Sequence, residues 1–194
     1  NHKNLKVEPK IIIPFNQKEL KKVFQIFENK KDLNLRDSLI IDTLYSTGIR
    51  RDELINLKLK DIYFDKTLLK VKGKRNKERL VPILPNLLKR MKFHINENPS
   101  NIYFFESKKG KKISPSTIYR TVTKYFRLVS TKNKISPHVI RHSFATHLVN
   151  NGADINSVKE ILGHSSLAST QIYTKIKIPK MLNDYMLNHP REKS

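Results

Sequence analysis

Ile62-Tyr63-Phe64-Asp65-Lys66-Thr67-Leu68-Leu69-Lys70-Val71-Lys72-Gly73-Lys74-Arg75-Asn76-Lys77-Glu78-Arg79-Leu80-Val81-Pro82-Ile83 interrupts a 194-residue chain that otherwise reads as helix. Residues 62–64, 67–71 and 79–83 are short β-prone runs. Asp65-Lys66 and the basic turn at 72–77 separate them, which predicts a small three-stranded antiparallel meander. Upstream, Asn16 and Glu19 form a capping box, with Phe15 positioned to staple onto Leu20. Leu20, Val23, Phe24 and Phe27 then recur at helical spacing. A second helix is expected over residues 35–45, ending before Gly48, and a short one over 51–57. Downstream, helices are expected over 85–97, 116–130, 137–151 and 155–162, the last behind Asp154. A helical stretch around 166–173 and a final helix over 179–187 complete the reading. The expected fold class is mainly α with one small antiparallel sheet, an α+β domain over residues 14–194.

Composition narrows the function. Thirty-nine Lys and Arg face 17 Asp and Glu, a net charge of +22. A compact chain this basic repels itself unless a polyanion neutralises it, and nucleic acid is the expected partner. An anionic membrane competes, but the basic residues run along the whole chain instead of one amphipathic helix. Without cysteine there is no disulfide, no Cys-based zinc site and no thiol nucleophile. No apolar run approaches the ~20 residues of a membrane span. No signal peptide is visible. Residues 1–13 are polar and unpatterned, as expected of a linker or tail.

Four groups of residues could carry chemistry. Pro137 can open a helix that places His138, Arg141 and His142 on adjacent turns of one face, where His and Arg can converge on a phosphate. A solvated basic face, or a metal held by His138 and His142, would use the same spacing. Gly163 allows a sharp turn that presents His164, nine residues before Tyr173. Alone, such a His often packs or caps, and such a Tyr is often core. Arg50 and Glu53 lie three apart, so the carboxylate can brace a neighbouring group or form an ordinary surface pair. Lys74 sits in the meander's turn, as exposed charge or as a group reaching into a duplex.

Together these pieces resemble the tyrosine site-specific recombinases of the phage integrase family, and within it the bacterial Xer type. Residues 44–54 (LYSTGIRRDEL) are similar to the family's first-arginine motif, and 73–82 (GKRNKERLVP) to its lysine hairpin. SPHVIRHSFATH, residues 136–147, resembles the His-x-x-Arg motif, and LGHSSLASTQIYT, residues 162–174, the His and Tyr motifs. The resemblance implies six catalytic groups: Arg50, Lys74, His138, Arg141, His164 and the nucleophile Tyr173. Glu53 matches a commonly acidic supporting position, and Arg51, Arg75 and Lys77 are expected DNA contacts. Arg75 departs from a second glycine often found in the Xer-type hairpin.

The function so implied is site-specific cleavage and rejoining of double-stranded DNA, through a 3′-phosphotyrosyl intermediate and a Holliday junction. No cofactor and no metal are expected. Implied partners are a DNA recombination site and further protomers, in a tetramer where the C-terminal helix docks in trans. A cytoplasmic, nucleoid-associated setting is expected. The family's N-terminal DNA-clamping domain has no counterpart here, so the first 13 residues read as the linker from it. A type IB topoisomerase-like relaxase, a non-catalytic basic DNA-binding module and a His-dependent metal nuclease are the alternatives.

Overall fold

The computed structural model describes residues 12–29, 35–73, 76–99, 102–107, 109–163 and 177–191. Its elements run α1 (Gln17–Asn29), α2 (Leu35–Thr47), α3 (Arg51–Ile55), β1 (Ile62–Tyr63), β2 (Leu68–Lys72), β3 (Glu78–Pro82), α4 (Pro85–Glu97), α5 (Pro115–Phe126), α6 (Pro137–Asn150), α7 (Ile155–Leu162) and α8 (Lys177–Asn188). This is the expected mainly helical fold with a three-stranded antiparallel sheet, in the order β1-β2-β3. Among the described residues no helix is long and apolar enough to cross a membrane. The stretch around 166–173 lies outside the described residues.

Local chemistry explains the helix ends. At α1 the backbone N–H of Asn16 donates to Glu19 Oε2 at 2.7 Å, and that of Glu19 donates to Asn16 Oδ1 at 2.8 Å. This reciprocal box satisfies two donors that the first helical turn leaves free. Phe15 and Leu20 are both core residues, and the Phe15 ring lies 4.1 Å from that of Phe126. α7 is capped by Asp154, whose Oδ2 accepts from the Ser157 N–H at 2.9 Å. α5 differs from its predicted span of 116–130. It starts one residue earlier, because Pro115 suits the first helical position and the Ser114 hydroxyl accepts the Thr117 N–H. It stops at Phe126, the last residue of its buried stripe, beyond which Leu128 is exposed.

α2 is the centre of the molecule. Every residue from Ser38 to Thr47 is buried, so the helix has no solvent face and packs against α4, α5 and α6. In the sheet, β2 and β3 pair with Leu69 opposite Val81 and Val71 opposite Arg79. The alternation of a half-buried sheet then points Leu69, Val71, Arg79 and Val81 inward, all of them buried. An arginine in that inward row is the sheet's one departure from apolar lining.

α8 lies against its own domain. Met181, Tyr185 and His189 are at most 3% exposed, and the Tyr185 hydroxyl donates to Ser46 O at 2.6 Å. Docking in trans is the expectation for this helix in a DNA-bound assembly. In the single chain its apolar stripe is buried in cis, because α2 and α6 offer matching apolar surface.

Candidate active site

Arg50 is the N-cap residue of α3, in extended conformation after the left-handed Gly48 that ends α2. A Cβ at Gly48 would collide with the Phe144 ring, so glycine serves both the φ and the close approach of α6. Glu53, one turn into α3, is 5% exposed and gathers four donors. Its Oε1 accepts from Arg50 Nη1 at 3.0 Å and from Arg79 Nη1 at 2.7 Å. Its Oε2 accepts from the Arg50 backbone N–H at 2.7 Å and from Arg79 Nη2 at 2.9 Å. Burial alone would raise the carboxyl pKa; the Arg79 hydrogen bonds and charge, and then Arg50, bring it below the ordinary value. Glu53 is therefore an anion that fixes Arg50 while 43% of that side chain stays exposed.

Arg141 approaches from α6. Ser136 caps that helix and Pro137 fills its first position. The guanidinium donates from Nη1 to Gly48 O and from Nη2 to Leu162 O, the latter at 2.6 Å. One side chain thus joins the end of α2, two residues before Arg50, to the end of α7. Burial first, and then the charge of Arg50, lower its pKa to about 10, which leaves it cationic at neutral pH. Its hydrogen bonds go to carbonyl dipoles and not to a carboxylate, so positive charge is left for an anion.

His138 is exposed one turn before Arg141 on α6. Burial, followed by the charges of Arg141, Lys134, His142 and Arg50, lowers its pKa. The ring is therefore neutral at pH 7 and able to accept a proton. Arg50 acts electrostatically on both His138 and Arg141, so these three predicted residues share one locus.

The other three catalytic candidates are approached but not reached. Lys74 and Arg75 lie outside the described residues, as do His164 and Tyr173. The residues before Lys74 and His164 are described: the Gly73 N–H donates to Lys77 O at 2.8 Å across the hairpin, and Gly163 ends α7 with φ of 70°. Of the expected DNA contacts, Arg51 is exposed and pairs with Asp52 at 3.0 Å, and Lys77 is half-buried beside the hairpin turn.

Arg79 is the site residue that motif reasoning missed. It forks onto Glu53, and its Nε donates to Ile161 O at 2.6 Å. The signal was present in the strand alternation. Counting back from Val81 on the inward face puts a guanidinium where an apolar residue belongs.

Comparison with known proteins agrees with this geometry. Residues 14–178 match the model of the phage integrase family. Tyrosine recombinase XerC of Pelotomaculum thermopropionicum is 37% identical over 186 residues, covering 90% of this chain and 61% of that protein. The chain thus spans about three fifths of the length of this curated relative. The crystal structure of XerA recombinase superposes with a TM-score of 0.71 at 29% identity, covering 94% of this chain and 67% of the other. The XerH site-specific recombinase bound to difH substrate in a pre-cleavage complex gives 0.72 at 26%, covering 95% and 56%. The chain belongs to the phage integrase family, the tyrosine recombinases, and within it is similar to recombinases of the Xer type.

Proposed function

We propose that this chain is the catalytic part of a recombinase that cuts and rejoins double-stranded DNA at a specific site. The observation that carries the reading is the convergence of Arg50 and Arg141. They come from motifs 91 residues apart in the chain and meet across Gly48, with Glu53 holding one and backbone carbonyls the other. Two permanently charged forks side by side suit the non-bridging oxygens of a phosphodiester approaching its transition state. The relative bound to difH substrate supports duplex DNA as the ligand.

In this reading the Tyr173 oxygen attacks phosphorus, and the bond from phosphorus to the 5′-oxygen breaks. The phosphotyrosyl ester keeps the energy of the broken bond for religation. The phenol, with an ordinary pKa of about 10, loses its proton to neutral His138. Lys74, one residue beyond the fixed Gly73, protonates the departing 5′-oxygen. His164, one residue beyond Gly163, adds a donor to the phosphate. Arg51, Arg75 and Lys77 contact the duplex backbone. No metal or cofactor is required, since the guanidinium groups supply the positive charge. Residues 1–13 link to an N-terminal DNA-clamping domain in a longer protein, and four protomers assemble on DNA, where α8 exchanges from its own domain to a neighbour's. The setting is cytoplasmic, at the nucleoid.

The test works even though the target site is not specified. A pool of nicked duplexes with a randomised central segment is incubated with the protein, and covalent adducts are scored on a denaturing gel. The wild type should accumulate adduct in the presence of chelator, and Tyr173→Phe should form none. Adduct persisting in Tyr173→Phe, or activity abolished by chelator, would remove this reading. Relaxation of supercoiled plasmid without strand exchange would favour the topoisomerase-like alternative.

A further inference from the structure

The ion pair between Glu53 and Arg79 touches more of the site than either motif predicts. Glu53 bonds Arg50 through both its backbone and its side chain. Arg79 bonds Ile161 O at the end of α7, and its guanidinium carbon lies 3.2 Å from where a Gly163 Cβ would stand. On the other side, a Cβ on Gly73 would come within 3.5 Å of Glu53 Oε1 and 3.8 Å of Arg79 Nη1. Gly73 precedes Lys74, and Gly163 precedes His164. The next carbonyl along α7, Leu162 O, is held by Arg141. One buried pair therefore sits against Arg50 and against the glycines that precede Lys74 and His164, one carbonyl along α7 from the bond of Arg141.

We propose that Arg79 is a positioning residue, which through Glu53, Gly73 and the end of α7 sets the lysine hairpin and the His164 turn in fixed relation to the two phosphate-binding arginines. The inference rests on the recombinase reading for what these groups do, but the bracing itself does not. Arg79 spends its donors inside the protein: two on Glu53 and one on Ile161 O. These bonds turn its guanidinium into the fold, where the carboxylate of Glu53 neutralises it. The geometry asks for a planar fork with a third donor at the right reach, which Lys lacks. Gly163 leaves room for it: a Cβ there would press on its guanidinium, and φ of 70° already disfavours any other residue.

The experiment compares wild type, Arg79→Lys, and the double variant Glu53→Gln/Arg79→Met, which removes both buried charges so that neither is left unpaired. Two readouts are taken. Amide hydrogen exchange reports the brace without any catalysis: exchange should rise together at residues 73–78 and 161–163 in both variants, with α5 unchanged. Adduct formation is measured on a sequence recovered from the nicked-duplex pool. Both variants should bind it within about twofold of wild type yet react about tenfold to a hundredfold more slowly, the usual cost of small misplacement. Replacing the 5′-oxygen at the scissile phosphate with sulfur, a leaving group that needs no proton, should recover the share of the loss that comes from Lys74. A residue needed only for folding would slow both substrates equally, in proportion to the unfolded fraction. Exchange rising at one segment alone, or a double variant that reacts within twofold of wild type, would overturn the proposal. A wild type that forms no adduct would sink the recombinase reading instead, and the exchange data alone would then decide whether the brace exists.

Discussion

Two buried carboxylates, Glu53 and Asp42, each sit between two guanidinium groups, and they do different work. Asp42 is 1% exposed on the central helix α2. It accepts from Arg90 of α4, from the Ser46 hydroxyl at 2.7 Å, and from Arg191 beyond α8, whose Nε lies at 3.2 Å. Both arginines make a further contact within the fold. Arg90 reaches the Ser38 hydroxyl at 2.6 Å, and Arg191 lies 3.6 Å over the Phe24 ring. That cluster ties the chain's end to its core. At Glu53 the arrangement is unbalanced: Arg79 is buried against the carboxylate, Arg50 is 43% exposed, and the hydrogen bonds of Arg141 go to carbonyls. The same acid-and-arginine motif is scaffold where the guanidinium groups are largely covered, as with Arg90 and Arg191 at 26% and 18% side-chain exposure. It becomes an anion site where positive charge is left over.

The sharpest way to break this comparison is to remove the surplus charge. Arg141→Ala should slow covalent adduct formation by about 10²–10³, the usual effect of losing one preorganised donor at a developing oxyanion. Gel quantification of single-turnover cleavage reads it, and a rate within fivefold of wild type would place the phosphate elsewhere. Next comes the scaffold cluster. Asp42→Asn leaves two guanidinium groups without their anion and should cost about 3 kcal/mol of stability, measured as a shifted urea midpoint. Cleavage per folded molecule should stay near wild type; a rate loss larger than the loss of folded protein would erase the division between the clusters.

The smallest effect is a pH dependence led by His189, just after α8. His189 is fully buried, and burial drives its pKa down to about 3. The unfolded chain takes up this proton near pH 6.5 while the folded chain does not, so stability present above pH 6.5 is lost as pH falls. Between pH 7 and 5 the loss from His189 is about 2 kcal/mol. His147 and His94, whose pKa values burial also lowers, act in the same direction. Glu53, held below the usual carboxyl range, keeps its charge over that interval. Acid should therefore raise hydrogen exchange in α8 before the hairpin. A urea midpoint that does not move between pH 7 and 5 would show that His189 is not buried in solution.

Much of this is legible in the sequence. The meander at residues 62–83, the capping box of Asn16 and Glu19 and the glycine helix ends all follow from short-range rules, because turns, caps and strand alternation depend on neighbours along the chain. Arg50, His138 and Arg141 stand out through their local motifs, and the fold brings them to one locus. Arg79 and Asp42 do not stand out. Each looks ordinary among its sequence neighbours, and its importance lies in partners far along the chain: Ile161 for Arg79, Arg191 for Asp42. The seat of α8 in the single chain is hidden for a related reason. Its apolar stripe shows that it must be covered, but periodicity does not name the surface that covers it.

By itself, then, the sequence determined the element types, the excess of positive charge and the residue types able to handle a phosphodiester. Only the tertiary structure decided which arginine is spent on the protein and which is kept for an anion. That division depends on whether the partner is a carboxylate 26 residues away, as for Arg79, or carbonyls 21 and 93 residues away, as for Arg141, and these partners meet only once the helices have packed around α2.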